Sequence, residues 1–199
     1  MEGSGVMNQK VNKKHEILKA SMKIFALKGY HNTKIEDIAI EAGIGKGTVY
    51  QYFESKIQLF EEMVLYYIES YKEEIVEIID ENISLEEKLL KVANKNSKHV
   101  AEHFDMAEKI DVRENIISNE MKSKMLRKKE EIFSILECAI DQAIENGEVR
   151  NDLDKEVVIS TFFGAVNVYC AGRYQRNNTM KAYVDPTPVV MFLMRALNK

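Results

Sequence analysis

The chain has 199 residues, of which 45% are hydrophobic, and its formal net charge is -4. This length allows one or two domains with a sizeable core, and two cysteines are too few for a disulfide scaffold. The longest uncharged run, residues 157–172, is too short and too polar to span a bilayer, so we expect a cytoplasmic protein.

The charge is distributed unevenly along the chain. Residues 1–60 carry nine Lys, no Arg and six acidic residues, a net charge of +3, whereas residues 61–199 carry a net charge of -7. A basic N-terminal region joined to an acidic remainder is expected when only one small domain binds the phosphates of a nucleic acid. Residues 1–9 are expected to be a flexible N-terminal extension, ahead of an amphipathic helix over residues 17–30.

The next segment has the pattern of a short helix that ends at a glycine. Thr33 and Glu36 have the spacing of a capping box, which predicts a helix beginning at Lys34. Gly43 ends this helix, because glycine enters the left-handed conformation without steric cost. Apolar residues recur at spacings of three and four along one face of the helix, namely Ile35, Ile38, Ala39 and Ala42.

A second short helix is predicted over residues 46–53, directly after Gly45. Val49 and Phe53 have a spacing of four and are expected to face inward. Two short helices around a glycine turn are typical of a helix-turn-helix that reads DNA. The residues left for other surfaces are Lys46, Gly47, Thr48, Tyr50, Gln51 and Tyr52.

Ser55 and Gln58 form another capping box, which predicts a helix that places Lys56 in its first turn. A cation in this position opposes the helix dipole. A phosphate bound at the same helix start would remove that conflict.

The remainder of the chain has helical periodicity and no β-alternating run, so we predict an all-α protein. The local signals, which include a capping box at Ser84 and Glu87 and a stop at Asn146-Gly147, predict further helices. They span residues 55–80, 85–104, 116–146 and 154–174, and residues 185–188 open a short last helix. Residues 157–172 are apolar nearly all round, which predicts burial on more than one side. Cys138 and Cys170 lie among apolar residues and are expected to be buried.

Residues 17–65 resemble the DNA-binding domain of the tetracycline-repressor (TetR) family of bacterial transcriptional regulators. The residues that carry the resemblance are the amphipathic first helix, AGIGKGTVYQYF at 42–53 and SK at 55–56. Gly45 departs from the Ser or Thr that the family usually has. The resemblance implies a three-helix DNA-binding domain at residues 10–54 and a larger helical ligand-binding and dimerisation domain at residues 55–199.

The resemblance further implies a sequence-specific repressor that a small-molecule effector releases from a palindromic operator. Its DNA-contacting residues would be Lys46, Gly47, Thr48 and Tyr50 at base edges, and Thr33, Lys34, Tyr52 and Lys56 at phosphates. The role of Gln51 stays open between reading adenine and facing solvent.

For the C-terminal domain we expect a homodimer through helices over residues 119–146 and 154–174. We also expect a mainly apolar effector with one or two polar anchors. Residues that could line its pocket are His99, His103, Phe104, Arg113, Met121, Met125, Phe163, Asn167 and Tyr174.

Two alternatives to an effector-released repressor remain. His99 and His103 share a helix face at i and i+4, so they could make a metal-responsive regulator, and the same H-x-x-E-H order occurs in one class of metallopeptidases. The protein could also bind DNA independently of any ligand. Because the chain has no nucleophile with a nearby base, P-loop or dinucleotide loop, we expect no enzyme, no catalytic residues, no resident metal and no cofactor.

Overall fold

A computed structural model describes residues 3–109, 117–177 and 183–198, and the side chains of 11–99, 117–176 and 183–198. These residues form helices and connecting loops without any strand, which confirms the all-α prediction. The helices are α1 Gly3–Asn32, α2 Ile35–Glu41, α3 Lys46–Tyr50, α4 Lys56–Ile79, α5 Leu85–Lys109, α6 Asn119–Glu145, α7 Lys155–Asn177 and α8 Thr187–Leu197.

The chain divides into two compact units. The first contains residues 1–69 and 105–125, and the second contains residues 70–104 and 126–199. The N-terminal helix-turn-helix belongs to the first unit, and the second unit is helical throughout its described residues. The functional boundary between residues 54 and 55 stays a prediction.

The core of the first unit joins α1, α2, α3 and the start of α4. Phe25 of α1 meets Phe60 of α4 edge-on, with their ring centroids 5.1 Å apart. Ile38 of α2 and Val49 of α3 are fully buried in the same cluster. Burying a side chain of this size stabilises the fold by about 1.5–3 kcal/mol, so this small core can hold a short helix such as α3 in a fixed orientation.

The turn between α2 and α3 depends on Gly43. Its φ of 63° is in the left-handed region, as the sequence predicts. The Gly43 N–H donates to the Ile40 carbonyl at 3.1 Å, and the Ile44 N–H donates to the Ala39 carbonyl at 2.9 Å. These two bonds form a Schellman motif, which satisfies the last carbonyls of α2 and fixes the direction in which the chain enters α3.

The predicted capping box at Thr33 is wrong. Thr33 is buried, and its hydroxyl donates at 2.7 Å to the carbonyl of Gly29, whose φ of 75° interrupts α1. This interruption leaves a carbonyl without a helical partner, and the Thr33 hydroxyl satisfies it instead of capping α2. The cap residue is Lys34, whose N–H donates to the Asp37 carboxylate at 3.0 Å.

Helix α3 ends at Tyr50 rather than at residue 53. The N–H groups of Tyr52 and Phe53 both donate to the Val49 carbonyl at 3.0 Å, so the last residues of the predicted helix form a turn. Phe53 still reaches the core and is 1% exposed. Ser55 caps the next helix, α4, because its hydroxyl accepts a hydrogen bond from the Gln58 N–H at 3.2 Å. The chain therefore leaves the helical path between α3 and α4.

The helix ends of the second unit follow the local signals. The Glu87 N–H donates to the Ser84 hydroxyl at 3.3 Å and the Ser84 N–H donates to the Glu87 carboxylate at 3.1 Å, which confirms the predicted capping box. Gly147, with a φ of 75°, follows the end of α6. Asp154 accepts from the Val157 N–H at 3.1 Å and caps α7.

Several expectations differ from the structure. Residues 3–9 belong to α1, which begins at Gly3, instead of forming a flexible extension. Helix α5 continues past the predicted end at residue 104 to Lys109. Cys170 is buried as predicted, but Cys138 is exposed because it lies on an outer face of α6. In the described part of the chain, no helix is both long enough and apolar enough to cross a membrane.

Within the single chain only one side of α7 is buried, so the predicted burial of a second side stays a prediction. One face of the helix packs inward through Phe162 and Val166, but Val157 is 58% exposed and Val168 is 75% exposed. The all-round apolar composition of α7 therefore leaves an uncovered apolar face.

Candidate DNA-binding surface and effector-binding residues

The core fixes which side of α3 faces solvent. Val49 and Phe53 are 0% and 1% exposed, so they hold the helix and the turn after it against α1 and α4. At Gly47 an added Cβ would meet no atom within 4 Å, so a DNA backbone or base edge can approach closely. The residues with exposed side chains or backbone at this surface are Lys46, Gly47, Tyr50 and Gln51.

Lys46 at the start of α3 is held by Glu36 of α2. Its ammonium lies 2.5 Å from the Glu36 carboxylate and 5.9 Å from the centroid of the Tyr50 ring. The hydrogen bond from Lys46 lowers the pKa of the Glu36 carboxyl, and the same bond raises the pKa of the Lys46 ammonium. Sequence reasoning missed this pair, because the two residues come together only across the glycine turn.

Lys56 at the start of α4 lies against the end of α1. Its Nζ is 4.4 Å from the centroid of the Tyr30 ring and donates to the His31 carbonyl at 3.3 Å. Burial lowers the pKa of Lys56. The His31 carbonyl and the Tyr30 ring thus offset the unfavourable position of this cation in the first turn of α4, and no phosphate is needed to explain its placement.

The other predicted phosphate contacts occupy different environments. Lys34 is exposed and Tyr52 is half-buried against the core, while Thr48, a predicted base contact, is half-buried on α3. Thr33 is 2% exposed and its hydroxyl is bonded inward, so its side chain cannot reach a phosphate in this conformation. This burial removes Thr33 from the set of side chains that can contact DNA.

Among the predicted effector residues, His99 lies in a polar cluster. Its ring meets Tyr71 edge-on at 4.9 Å, and its Nε2 is 3.5 Å from the Glu74 carboxylate, which also pairs with Lys95 at 3.1 Å. The side chain of His103 lies outside the described residues. Within the described residues no group of three potential metal ligands is present, and the metal-responsive alternative stays a prediction.

Three further predicted residues belong to the second unit. Asn167 accepts a hydrogen bond at 3.1 Å from Asn96, which supplies the partner that a polar residue on α7 requires. Phe163 stacks on Phe133 with centroids 6.1 Å apart, and Tyr174 is buried.

The remaining predicted effector residues lie elsewhere. Met121 and Met125 belong to the first unit, where Met121 is 3% exposed and Met125 is half-buried. The side chain of Phe104 and the whole of Arg113 lie outside the described residues. A groove of about 450 Å³ in the second unit is lined by other residues, which sequence reasoning did not identify.

Comparison with known proteins places these surfaces in a family. Residues 17–63 match the family model described as "Bacterial regulatory proteins, tetR family", and this range contains α2, α3 and the start of α4. The fatty acid metabolism regulator protein of Bacillus subtilis is 29% identical over 167 residues, which cover 81% of this chain and 83% of that protein. Residues 17–63 are thus a DNA-binding domain of the TetR family. The protein is accordingly a sequence-specific, DNA-binding transcriptional regulator.

The similarity of this regulator to its relatives extends beyond the DNA-binding segment. The repressor KstR2 of Rhodococcus jostii is 24% identical over 152 residues, which cover 74% of the regulator and 73% of KstR2. The crystal structure of FadR from Bacillus subtilis in complex with stearoyl-CoA has the same fold, with a TM-score of 0.69 and 22% identity over 91% of the regulator and 95% of FadR. Regulators of this family bind DNA operators, act as dimers and bind small-molecule effectors.

Proposed function

We propose that this regulator is a homodimeric repressor that reads a palindromic operator with α3 and leaves it when it binds a long-chain acyl-CoA. The observation that carries the DNA-binding half is the fixed orientation of α3. Buried Val49 and Phe53 anchor it, and Lys46 and Tyr50 face outward. A rigid anchor of this kind is what sequence reading in a major groove requires.

The exposed residues of α3 suit specific base contacts. Lys46 can donate to guanine O6 and N7, and the methyl group of Thr48 can pack on the methyl group of thymine. The open space at Gly47 admits the edge of a base pair. Gln51 is exposed just after α3, and substitution by Ala would distinguish adenine reading from simple solvation.

The proposed phosphate contacts are Lys34, Tyr52 and Lys56. Contacts of this kind set the register of the protein on DNA and make its affinity depend on salt. Lys46 has to exchange the Glu36 carboxylate for a base, so the Glu36–Lys46 pair competes with DNA binding.

The uncovered face of α7 supports a dimer. Val157 and Val168 are exposed on it, and the small residues Gly164 and Ala165 lie between them, so a partner helix can approach closely. At Gly164 an added Cβ would meet no atom within 4 Å of its own chain. We assign this face to contact with a second copy of the chain.

The second helix of the proposed dimer face is α8. Phe192 and Met191 of α8 are 77% and 40% exposed, and α8 packs beside α7 in the same unit. The sequence favoured residues 119–146 for this role, but the large apolar residues Leu136 and Ile140 of α6 are already buried within the chain. Two copies of α7 and α8 would form a four-helix bundle, and the dimer would present two recognition helices about 34–36 Å apart.

The effector half of the proposal is drawn from the relatives. The Bacillus subtilis regulator that aligns with 81% of this chain is named for fatty acid metabolism, and the FadR structure contains stearoyl-CoA. The alignment is long enough to include most of the second unit, in which an effector is expected. A long acyl chain also agrees with the mainly apolar effector that the sequence predicts.

The experiment that tests this function is a gel-shift titration of the purified dimer on DNA from upstream of its own gene. Stearoyl-CoA should dissociate the complex, whereas CoA and stearate at equal concentrations should leave it intact. A specific complex that survives saturating stearoyl-CoA would refute the effector assignment alone and favour a ligand-independent regulator. Absence of any specific complex with operator-containing DNA would refute the repressor assignment itself.

A further inference from the structure

The segment that leads into α8 is held by side chains of α5. The Tyr183 hydroxyl donates to the side-chain carbonyl of Asn94, and the Ser97 hydroxyl donates to the Val184 carbonyl at 2.5 Å. The Asn94 amide is itself oriented, because its Nδ2 donates to the Leu90 carbonyl at 2.7 Å within α5. Two consecutive residues before α8 are therefore bonded to the same face of α5.

The start of α8 follows directly from this attachment. Asp185, the next residue along the chain, accepts a hydrogen bond at 2.9 Å from the N–H of Thr187, the first residue of α8. The buried residues of α8, among them Leu193 and Met194, hold the helix within its unit, but apolar contacts are not directional. The directional hydrogen bonds before Thr187 therefore fix where α8 begins and how it is oriented.

The same stretch of α5 is also bonded to α7. Asn96 donates to the side-chain carbonyl of Asn167 at 3.1 Å, and Ser97 hydrogen-bonds with the Cys170 thiol, whose pKa is raised by burial. Asn96 and Ser97 are 8% and 1% exposed, and polar side chains buried to this extent are normally bonded. One short polar stretch of α5, residues 94–97, thus contacts α7 and the segment before α8, the two helices of the proposed dimer face.

We propose that Asn94 and Ser97 of α5 are positioning residues, which hold α8 beside α7 in the orientation that the dimer requires. The inference rests on the proposed dimer and identifies the residues that prepare its contact face. Exposed Val168 and Phe192 lie on the two helices that these bonds align. Preorganisation of this kind strengthens association, because less conformational freedom is lost when two copies meet. A displacement of α5 would be passed to both helices, so α5 can regulate the dimer.

Two variants separate this role from a general contribution to the fold. Tyr183→Phe and Ser97→Ala each remove one of the bonds to the segment before α8. Because Tyr183 is 50% exposed, loss of its hydroxyl leaves the packing of the unit intact. Ser134→Ala is the matched control, since the Ser134 hydroxyl donates at 3.1 Å to the Glu130 carbonyl of its own helix, α6.

The measurement is subunit exchange between unlabelled and isotope-labelled full-length dimers, followed by native mass spectrometry. Exchange should be roughly three- to tenfold faster in Tyr183→Phe and in Ser97→Ala than in the wild type, because the loss of one hydrogen bond changes an equilibrium by about this factor and weaker association appears mainly in the dissociation rate. The Ser134→Ala dimer should exchange at the wild-type rate.

A purely structural role would lower the melting temperature and leave exchange between folded dimers unchanged. Exchange at the wild-type rate in either Tyr183→Phe or Ser97→Ala would therefore overturn the inference and leave the proposed repressor untouched. Equally fast exchange in Ser134→Ala would also overturn it, because the effect would then not depend on α8. A wild-type protein that is only monomeric would refute the proposed dimer, and this inference with it.

Discussion

At the scale of single residues, the exposed side of α3 pairs Lys46, the proposed base contact, with a carboxylate that would oppose DNA. Glu36 holds the Lys46 ammonium at 2.5 Å in the free protein. On DNA the same carboxylate would face phosphates, and like charges brought together suppress binding. We therefore expect Glu36 to weaken binding to every DNA sequence and to favour those sequences whose contact with Lys46 displaces it.

Replacing Glu36 with Gln should therefore strengthen DNA binding roughly fivefold and reduce the ratio of operator to nonspecific affinity. Fluorescence anisotropy on operator and scrambled DNA measures both quantities. Glu41→Gln is the matched control, because Glu41 is an acidic residue of α2 that pairs with Lys23 of α1 and not with α3. An equal gain in the two variants would assign the effect to net charge rather than to Lys46.

The pH dependence of this pair has a defined sign. The pKa of the Glu36 carboxyl is lowered by Lys46, so its stabilising contribution is present above the ordinary carboxyl pKa and is lost as pH falls through the lowered value. The effect of Glu36→Gln on DNA affinity should accordingly be constant between about pH 6 and pH 8. A variant effect that disappears toward pH 6 would contradict the assigned ionisation.

Lys56→Ala should weaken binding to operator and scrambled DNA alike and reduce the slope of log affinity against log salt by about one counterion. It should also lower the melting temperature slightly, because Lys56 lies 4.4 Å from the centroid of the Tyr30 ring and donates to the carbonyl of His31. A salt slope equal to that of the wild type would confine Lys56 to this packing role.

The sequence predicts the orientation of α3 well, because Val49 and Phe53, four residues apart, both pack into the core as their spacing indicates. It fails at Thr33, because the hydroxyl is drawn to a carbonyl that the interruption of α1 at Gly29 exposes. It also misses the pair between Glu36 and Lys46, since nothing in a linear pattern reports which charges meet across a turn.

At the scale of elements, the entry into α3 depends on the left-handed turn at Gly43. The turn directs α3, and the buried residues of α3 then fix the face that meets DNA. Glycine is required for its backbone conformation alone, because an added Cβ at Gly43 would meet no atom within 4 Å. The cost of a side chain at this position is therefore the backbone strain itself.

Gly43→Ala should reduce the free energy of unfolding by about 1–2 kcal/mol, the cost of a left-handed non-glycine residue. Chemical denaturation followed by circular dichroism measures it. Gly47→Ala is the control, because Gly47 lies inside α3 in equally open surroundings without a positive φ, and its effect should be a gain of about 0.5–1 kcal/mol rather than a loss. Equal losses in the two variants would contradict the backbone explanation.

Helix ends that are set by neighbouring residues in the sequence can be predicted in this protein. Helix ends that are set by tertiary contacts cannot. The capping box at Ser84 and Glu87 and the stop at Gly147 form as predicted, because each needs only neighbouring residues. The end of α3 at Tyr50 depends on where α4 has to begin. The second side of α7 is exposed in the single chain, so its predicted burial stays a prediction that only the dimer can test.

At the scale of the whole molecule, the proposed repressor requires two copies of the chain. A single recognition helix buries too little surface for tight specific binding, and a palindrome needs two half-sites in fixed spacing. The exposed apolar residues of α7 and α8 supply a face on which a second copy can assemble.

Replacing Phe192 or Val168 with Asp should convert the dimer to a monomer, because each charge would be buried in the proposed interface. Light scattering after size-exclusion chromatography measures the mass, and operator affinity should fall together with dimerisation. Leu126→Asp is the control, since Leu126 is an apolar residue on α6 that is 59% exposed. A monomer produced by Leu126→Asp and not by the other two variants would assign the interface to α6.

The central claim is that α3 reads DNA sequence. The most direct measurement compares dissociation constants of the dimer for its operator and for a scrambled duplex of identical length and composition, at physiological salt. We expect an operator preference of at least about 10³, and in Thr48→Ala a smaller preference when single base pairs of the operator are changed. Equal affinities for the two duplexes, erased together by added salt, would contradict it.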